Sequence, residues 1–100
     1  MADATALSGD EVARKVGKVK GWSVREGKLH KEFRFATFND AFAFMTAIAL
    51  SAESMNHHPE WTNVYNAVQI DLATHSAGGI TDLDFALLEK IELVAARYLK

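Results

Sequence analysis

A single proline divides this chain. Pro59 is the only one in 100 residues, and it disfavours the α region at His58 before it. A helical pattern reaching that point has to end there, and the chain has to leave along an extended path. The residues on either side agree. Phe38 to Met55 is a long apolar run with helical spacing, opened by Thr37-x-x-Asp40 as a capping box. Trp61 to about Thr74 is instead rich in aromatic, β-branched and alternating residues, which predicts a pair of strands. A two-residue loop at Asn66-Ala67 makes Tyr65 face Val68 and puts His58 opposite His75 at the open end of the hairpin. Val68, Ile70 and Leu72 then share one face, with Gln69, Asp71 and His75 on the other.

The remaining segments have equally local signals. Residues 1–6 are expected to form a loose tail. Ser8-x-x-Glu11 is a capping box, with Leu7 and Val12 at its hydrophobic staple, and it opens a short helix carrying Val12, Ala13 and Val16 on one side. Arg14, Lys15, Lys18 and Lys20 form a basic cluster that reads as a solvated helix face. Trp22 to Phe35 predicts a hairpin turning at Glu26-Gly27. In it Leu29, Phe33 and Phe35 alternate with His30, Glu32 and Arg34, and His30 reads as a surface residue. After a loop at Ser76-Ala77-Gly78-Gly79, Thr81-x-x-Asp84 is a third capping box. The helix it opens has Leu87, Leu88, Ile91, Val94, Ala95 and Tyr98 as its core face, and Arg97 and Lys100 at the end that suits cations.

The order helix, two strands, helix, two strands, helix predicts an α+β domain over residues 1–100. Its economical packing is a four-stranded antiparallel sheet with three helices on one face. The other sheet face is left open for a ligand or a second subunit. The helix over 38–55 carries Phe38, Phe42, Met45 and Ala49 in one stripe and Phe44, Ile48 and Met55 in another. That arc is wider than one sheet-facing stripe needs, which implies either deep burial or a subunit interface.

Several function classes are disfavoured by composition. The formal net charge is −2, so no general surface for nucleic acid or an anionic membrane is expected. Cysteine is absent, which excludes disulfides, thiol nucleophiles and thiolate metal sites. Asn39, Asp40 and Thr46 interrupt the longest apolar segment, and the N-terminus lacks the features of a secretory leader. A soluble, cytoplasmic protein is the expectation.

Three of the four histidines fall in Glu53–His75, and their spacing is specific. Glu53-x3-His57-His58-Pro59-x5-Tyr65-x9-His75-x8-Asp84 resembles the signature of the pterin-4a-carbinolamine dehydratases. The His-His-Pro-Glu-Trp and Asn-Val-Tyr-Asn runs look like the family almost letter for letter, over about a third of the chain. The resemblance implies removal of water from 4a-hydroxytetrahydrobiopterin, giving quinonoid dihydropterin in the recycling of tetrahydrobiopterin. It also implies His57, His58 and His75 as the active-site histidines. His57 and His75 are then the acid and the base in either order, and His58 mainly holds the pterin. Trp61, Glu53 and Asp84 join His58 as substrate-binding candidates. Each has a plainer alternative: core packing for Trp61, a solvated helix end for Glu53, and helix capping for Asp84.

Imidazole suits this chemistry because its unperturbed pKa of about 6.5 lets it give or take a proton near neutrality. No cofactor or metal is implied. A zinc site of three histidines is the competing arrangement, but adjacent ligands at a chain bend are unusual and no His-Glu-x-x-His spacing occurs. Relatives implied by the resemblance form homodimers or homotetramers. Some mammalian members also serve as the dimerisation cofactor of a homeodomain transcription factor. A non-catalytic module binding a protein partner through helix 38–55 is therefore the alternative reading.

Overall fold

The capping signals set where all three helices begin. In the computed structural model, which describes residues 5–99, α1 (Gly9–Val16), α2 (Phe38–Met55) and α3 (Asp82–Tyr98) follow directly on Ser8, Thr37 and Thr81. Ser8 and Thr81 complete reciprocal boxes with Glu11 and Asp84, whereas Thr37 supplies the forward half by accepting the Asp40 N–H. Residues 1–4, most of the expected loose tail, and Lys100 lie outside the described residues. Just beyond that tail, Leu7 donates its N–H to the Ile80 carbonyl at 2.8 Å and packs against the core.

Between the helices lie β1 (Ser23–Arg25), β2 (Lys28–Arg34), β3 (Glu60–Val64) and β4 (Ala67–Leu72). They form one antiparallel sheet in the order β1-β2-β4-β3, so the central strands join two hairpins distant in sequence. The first hairpin turns at Glu26-Gly27 as expected, with positive φ at both residues (51° and 78°), the requirement of a type I′ turn. The chain is therefore α+β with the predicted element order.

The second hairpin departs from expectation. Val64 pairs with Ala67, so its loop is Tyr65-Asn66, not Asn66-Ala67, and positive φ falls on Tyr65 (52°). Asn66 is held by tertiary contacts instead: its side chain donates to the Phe35 carbonyl at 2.6 Å, and its own carbonyl accepts the Phe35 N–H at 2.9 Å. Asn63 secures the turn from inside, donating to the Tyr65 and Ala67 carbonyls. The pairing differs from the expected one by two residues, an even number, so every side chain keeps its face. His58 is no longer opposite His75, because β3 starts at Glu60 and β4 ends at Leu72.

One sheet face carries the core. Leu29, Phe33, Val68, Ile70 and Leu72 meet Phe44 and Ile48 of α2 and Leu87, Leu88 and Ile91 of α3 in one buried cluster. The Phe44 ring lies 5.2 Å from Phe33 and 4.9 Å from Phe35, both tilted, an arrangement favourable beyond burial alone. Lys31 also points to this side. Its ammonium sits 4.5 Å from the Phe33 ring centre and 2.7 Å from Glu92. Its far end passes 2.9 Å from where a Cβ on Gly21 would stand, a contact a flexible lysine can relieve, but Gly21 has φ 87°, so the backbone favours glycine there.

α2 divides its apolar arc between two environments. Ala41, Phe44, Ile48 and Ala52 are buried, while Phe38, Phe42 and Leu50 are exposed, with Phe38 and Phe42 5.8 Å apart. The stripe through Phe44 is core, whereas in the other Phe38 and Phe42 face outward and Met45 packs against the core. Among the described residues no helix is long and apolar enough to cross a membrane.

Candidate active site

The site forms where regular elements end. Asn56 closes α2 in the left-handed conformation (φ 53°, ψ 41°), and the His57 N–H reaches back to the Ala52 carbonyl at 3.0 Å. This six-to-one bond beside a left-handed residue is a Schellman stop, and it fixes the backbone of His57. Pro59 then carries the chain into β3. Beside the start of β3, its neighbour β4 ends at Leu72. Thr74 pairs with Gly79 as an isolated bridge, and the loop between them holds a short 3₁₀ turn over His75–Ala77.

These ends enclose a cleft of about 400 Å³ lined by His57, His58, Pro59, Glu60, Thr74 and His75, among others. All three histidines of the motif thus border one space, although the hairpin register does not pair them. Each imidazole is bonded through Nε2 to a different carboxylate.

His57 is nearly buried and lies 2.5 Å from Asp84 Oδ1, with Asp84 fully buried. Asp84 Oδ2 accepts the Thr81 N–H at 2.8 Å and the Thr74 hydroxyl at 2.9 Å. Thr74 has one hydroxyl hydrogen, used on Asp84, so in their 2.7 Å contact Thr81 donates to Thr74, and Thr81 accepts the Leu83 N–H. No buried side-chain polar atom among the described residues is left without a partner. The capping box of α3 and the support of His57 are therefore one network. With Asp84 a carboxylate, Nε2 of His57 carries the hydrogen and Nδ1 is the nitrogen left for chemistry.

His75 and His58 are arranged similarly but in the open. His75 Nε2 lies 2.8 Å from Glu60 Oε2, and His58 Nε2 lies 2.9 Å from Glu53 Oε1. The Glu60 carboxyl is held below its ordinary range, first by the hydrogen bond from Lys28 and then by that from His75, against a smaller opposing effect of burial. Lys28 is correspondingly raised, chiefly by Glu60. The two shifts describe the same 2.7 Å contact and agree in sign.

The other candidates fall around the cleft rather than in it. Trp61 pairs with Ile70 and packs on the core side, because alternation along β3 sends Trp61 and Asn63 toward the helices. It is not part of the cleft lining. Glu53 is exposed on the last turn of α2 and reaches the cleft only through His58. Asp84 sits behind His57. His30 is not a free surface residue: on the open sheet face it is partly buried and bonded through Nδ1 to Asp71 at 2.8 Å. Sequence reasoning passed over Glu60. It lies in the His-His-Pro-Glu-Trp run, and its place as first residue of β3, on the face opposite Trp61, was the available signal. Among the described residues no three His, Asp or Glu side chains converge as metal ligands.

Comparison with known proteins shows the family and the fold. The family described as pterin 4 alpha carbinolamine dehydratase matches residues 5–94. A Solibacter usitatus protein, provisionally named a pterin-4-alpha-carbinolamine dehydratase, is 55% identical over 92 residues, which is 92% of this chain and 97% of its own length. A Rhizobium meliloti protein with the same provisional name is 48% identical over 91 residues, 89% of this chain and 88% of its own. Among solved structures, a transcriptional coactivator/pterin dehydratase from Brucella melitensis superposes with a TM-score of 0.87 at 39% identity, covering 91% of this chain and 99% of that one. A pterin dehydratase-like protein identified as a RuBisCO assembly factor in the α-carboxysome, at 23% identity and a TM-score of 0.61 over 74% of this chain and 86% of its own, shares the fold alone. On these matches the chain belongs to the pterin-4a-carbinolamine dehydratase family.

Proposed function

We propose that this protein dehydrates a 4a-hydroxytetrahydropterin to the quinonoid dihydropterin, using His57 and His75 as the acid and base. The observation that carries the reading is that two imidazoles on one cleft are each held through Nε2 by a carboxylate, leaving Nδ1 on both as the reacting nitrogen. The reaction removes the hydroxyl from C4a and the proton from N5. One imidazole takes the N5 proton while the other, protonated, gives its proton to the departing hydroxyl, which leaves as water. A carboxylate behind each ring fixes its orientation and balances the charge it gains. Acid–base catalysis of this kind contributes roughly 10²–10⁴-fold. His58, paired with an exposed carboxylate and bordering the same cleft, holds the pterin.

The test follows absorbance during decay of freshly generated 4a-hydroxytetrahydropterin. Acceleration by wild type that disappears in His57→Ala/His75→Ala supports the reading. A folded wild type that leaves the uncatalysed rate unchanged refutes it.

A second reading is favoured by one feature, the outward stripe of α2. Phe38 and Phe42 are exposed together on that helix, their rings 5.8 Å apart, an arrangement that suits a second subunit or a protein partner. Phe42→Glu tests it. Loss of assembly with turnover intact separates the interface from the cleft, and unchanged assembly rejects the stripe as an interface. Phe44, though on the same helix, is core and cannot serve this purpose.

A further inference from the structure

A lysine two strands away completes the support of His75. We propose that Lys28 and Glu60 act together as positioning residues for His75, the ion pair aiming the second Glu60 oxygen so that His75 keeps its proton on Nε2 and its lone pair on Nδ1. This rests on the dehydratase reading for its catalytic meaning, but the geometry stands apart from it. Glu60 uses its two oxygens separately: Oε1 accepts Lys28 Nζ at 2.7 Å and Oε2 faces His75 Nε2 at 2.8 Å. A carboxylate accepts at both oxygens, so the hydrogen on the imidazole has to lie on Nε2.

The sheet explains why the lysine can reach. Lys28 is the first residue of β2 and Glu60 the first of β3, with β4 between them. One step beyond the paired Leu29 and Leu72, the register sets Lys28 level with Ala73, whose small side chain leaves the path across β4 clear. Lys28 and Ala73 also line a second hollow of about 320 Å³ with Glu26, Gly27, Thr74 and His75. His75 thus stands between two depressions, bordering the cleft on one side and the Lys28 hollow on the other.

His75 needs such help more than His57 does. Burial locks the His57–Asp84 pair, whereas the His75 side chain is 79% exposed and its carboxylate 42%. An isolated exposed pair is weak and mobile, and a second anchor on the carboxylate removes one of its freedoms. The charges facing this chain from neighbouring elements are Glu26 at the first hairpin turn and Asp71 on β4, both acting on Lys28. His57 and His58 face His75 across the cleft.

The test uses Glu60→Gln, Lys28→Met and Lys28→Arg in the full chain. Long-range proton–nitrogen spectra of the imidazoles, recorded without substrate above the histidine titration range, report which nitrogen of His75 carries hydrogen. Wild type and Lys28→Arg are expected to show the Nε2–H tautomer alone, and Glu60→Gln a mixture. With substrate, Glu60→Gln and Lys28→Met are expected to lower kcat by about tenfold with KM nearly unchanged, the scale of one charge-assisted hydrogen bond, and Lys28→Arg to retain turnover. An unchanged Nε2–H tautomer in Glu60→Gln, or full turnover in both Glu60→Gln and Lys28→Met, overturns the proposal. A wild type without turnover overturns the dehydratase reading instead, and the His75 tautomer then decides the positioning claim by itself.

Discussion

Asp84 has two duties, and Asp84→Asn separates them. The carboxylate receives the Thr81 N–H and the Thr74 hydroxyl on one oxygen and His57 Nε2 on the other, at 2.8, 2.9 and 2.5 Å. Asparagine fits the same space. To keep Thr81 and Thr74 it must offer them its oxygen, which turns its NH₂ toward His57. Two donors then confront each other unless the imidazole moves its hydrogen to Nδ1. That reversed tautomer has no lone pair on Nδ1 and cannot act as a base there, and a protonated ring would meet the NH₂ head-on. Activity falls whichever role His57 has. Exchanging charge-assisted bonds for neutral ones costs about 1–3 kcal/mol of stability in total. Turnover should fall by about 10²-fold or more, the scale of one acid–base group. Urea unfolding measures the first quantity and pterin dehydration the second, with His57→Ala and the double variant closing the cycle. Because Asp84 acts through His57, Asp84→Asn should add less than about twofold to the loss already caused by His57→Ala. Losses that multiply, or a destabilised Asp84→Asn with near wild-type turnover, would refute this and leave Asp84 a helix cap.

Two further outcomes follow from the fold. Glu11 and Glu60 both have carboxyls held below the ordinary value of 4.5, Glu11 first by hydrogen bonding from the Ser8 backbone and Glu60 first by Lys28. Such groups stabilise the fold above 4.5 and lose that contribution as pH falls through their lower folded values, so Glu60→Gln should flatten the acid side of the stability–pH curve. In the core, Phe44→Ala should cost about 3–5 kcal/mol in urea unfolding, whereas Phe42→Ala, more than half exposed, should stay within about 0.5 kcal/mol in dilute protein.

Local signals carried most of the fold. Two full capping boxes, the N-cap at Thr37 and two hairpins can be read because each depends on residues within a few positions, as Ser8 with Glu11 or Glu26 with Gly27. The second turn escaped because Asn66 is anchored by Phe35, thirty-one positions away, and no propensity at Asn66-Ala67 encodes that contact. The same limit applied to α2. Spacing located both apolar stripes, but which of Phe42 and Phe44 faces the sheet depends on how α2 lies against α3 and β2. For the site, sequence brought forward the three histidines and Asp84. It missed Glu60 because a single glutamate at a strand start resembles any solvated residue until the pairing of β2, β4 and β3 places Lys28 beside it.

The three histidine–carboxylate pairs are graded, and the grading matches what each would have to do. His57 and Asp84 are buried, and a network of two threonines and a helix N-terminus fixes the carboxylate from behind. His75 and Glu60 are exposed, and a lysine from another hairpin supplies the fixing that burial does not. His58 and Glu53 are also exposed, with no third group among the described residues holding the carboxylate. Proton transfer demands a defined nitrogen at a defined place, because misplacement by an ångström is costly. Holding a polar heterocycle demands less, since a hydrogen bond can adjust to its partner. Two imidazoles with reinforced carboxylates and one without are therefore what a site needs when two rings move protons and the third only receives the substrate.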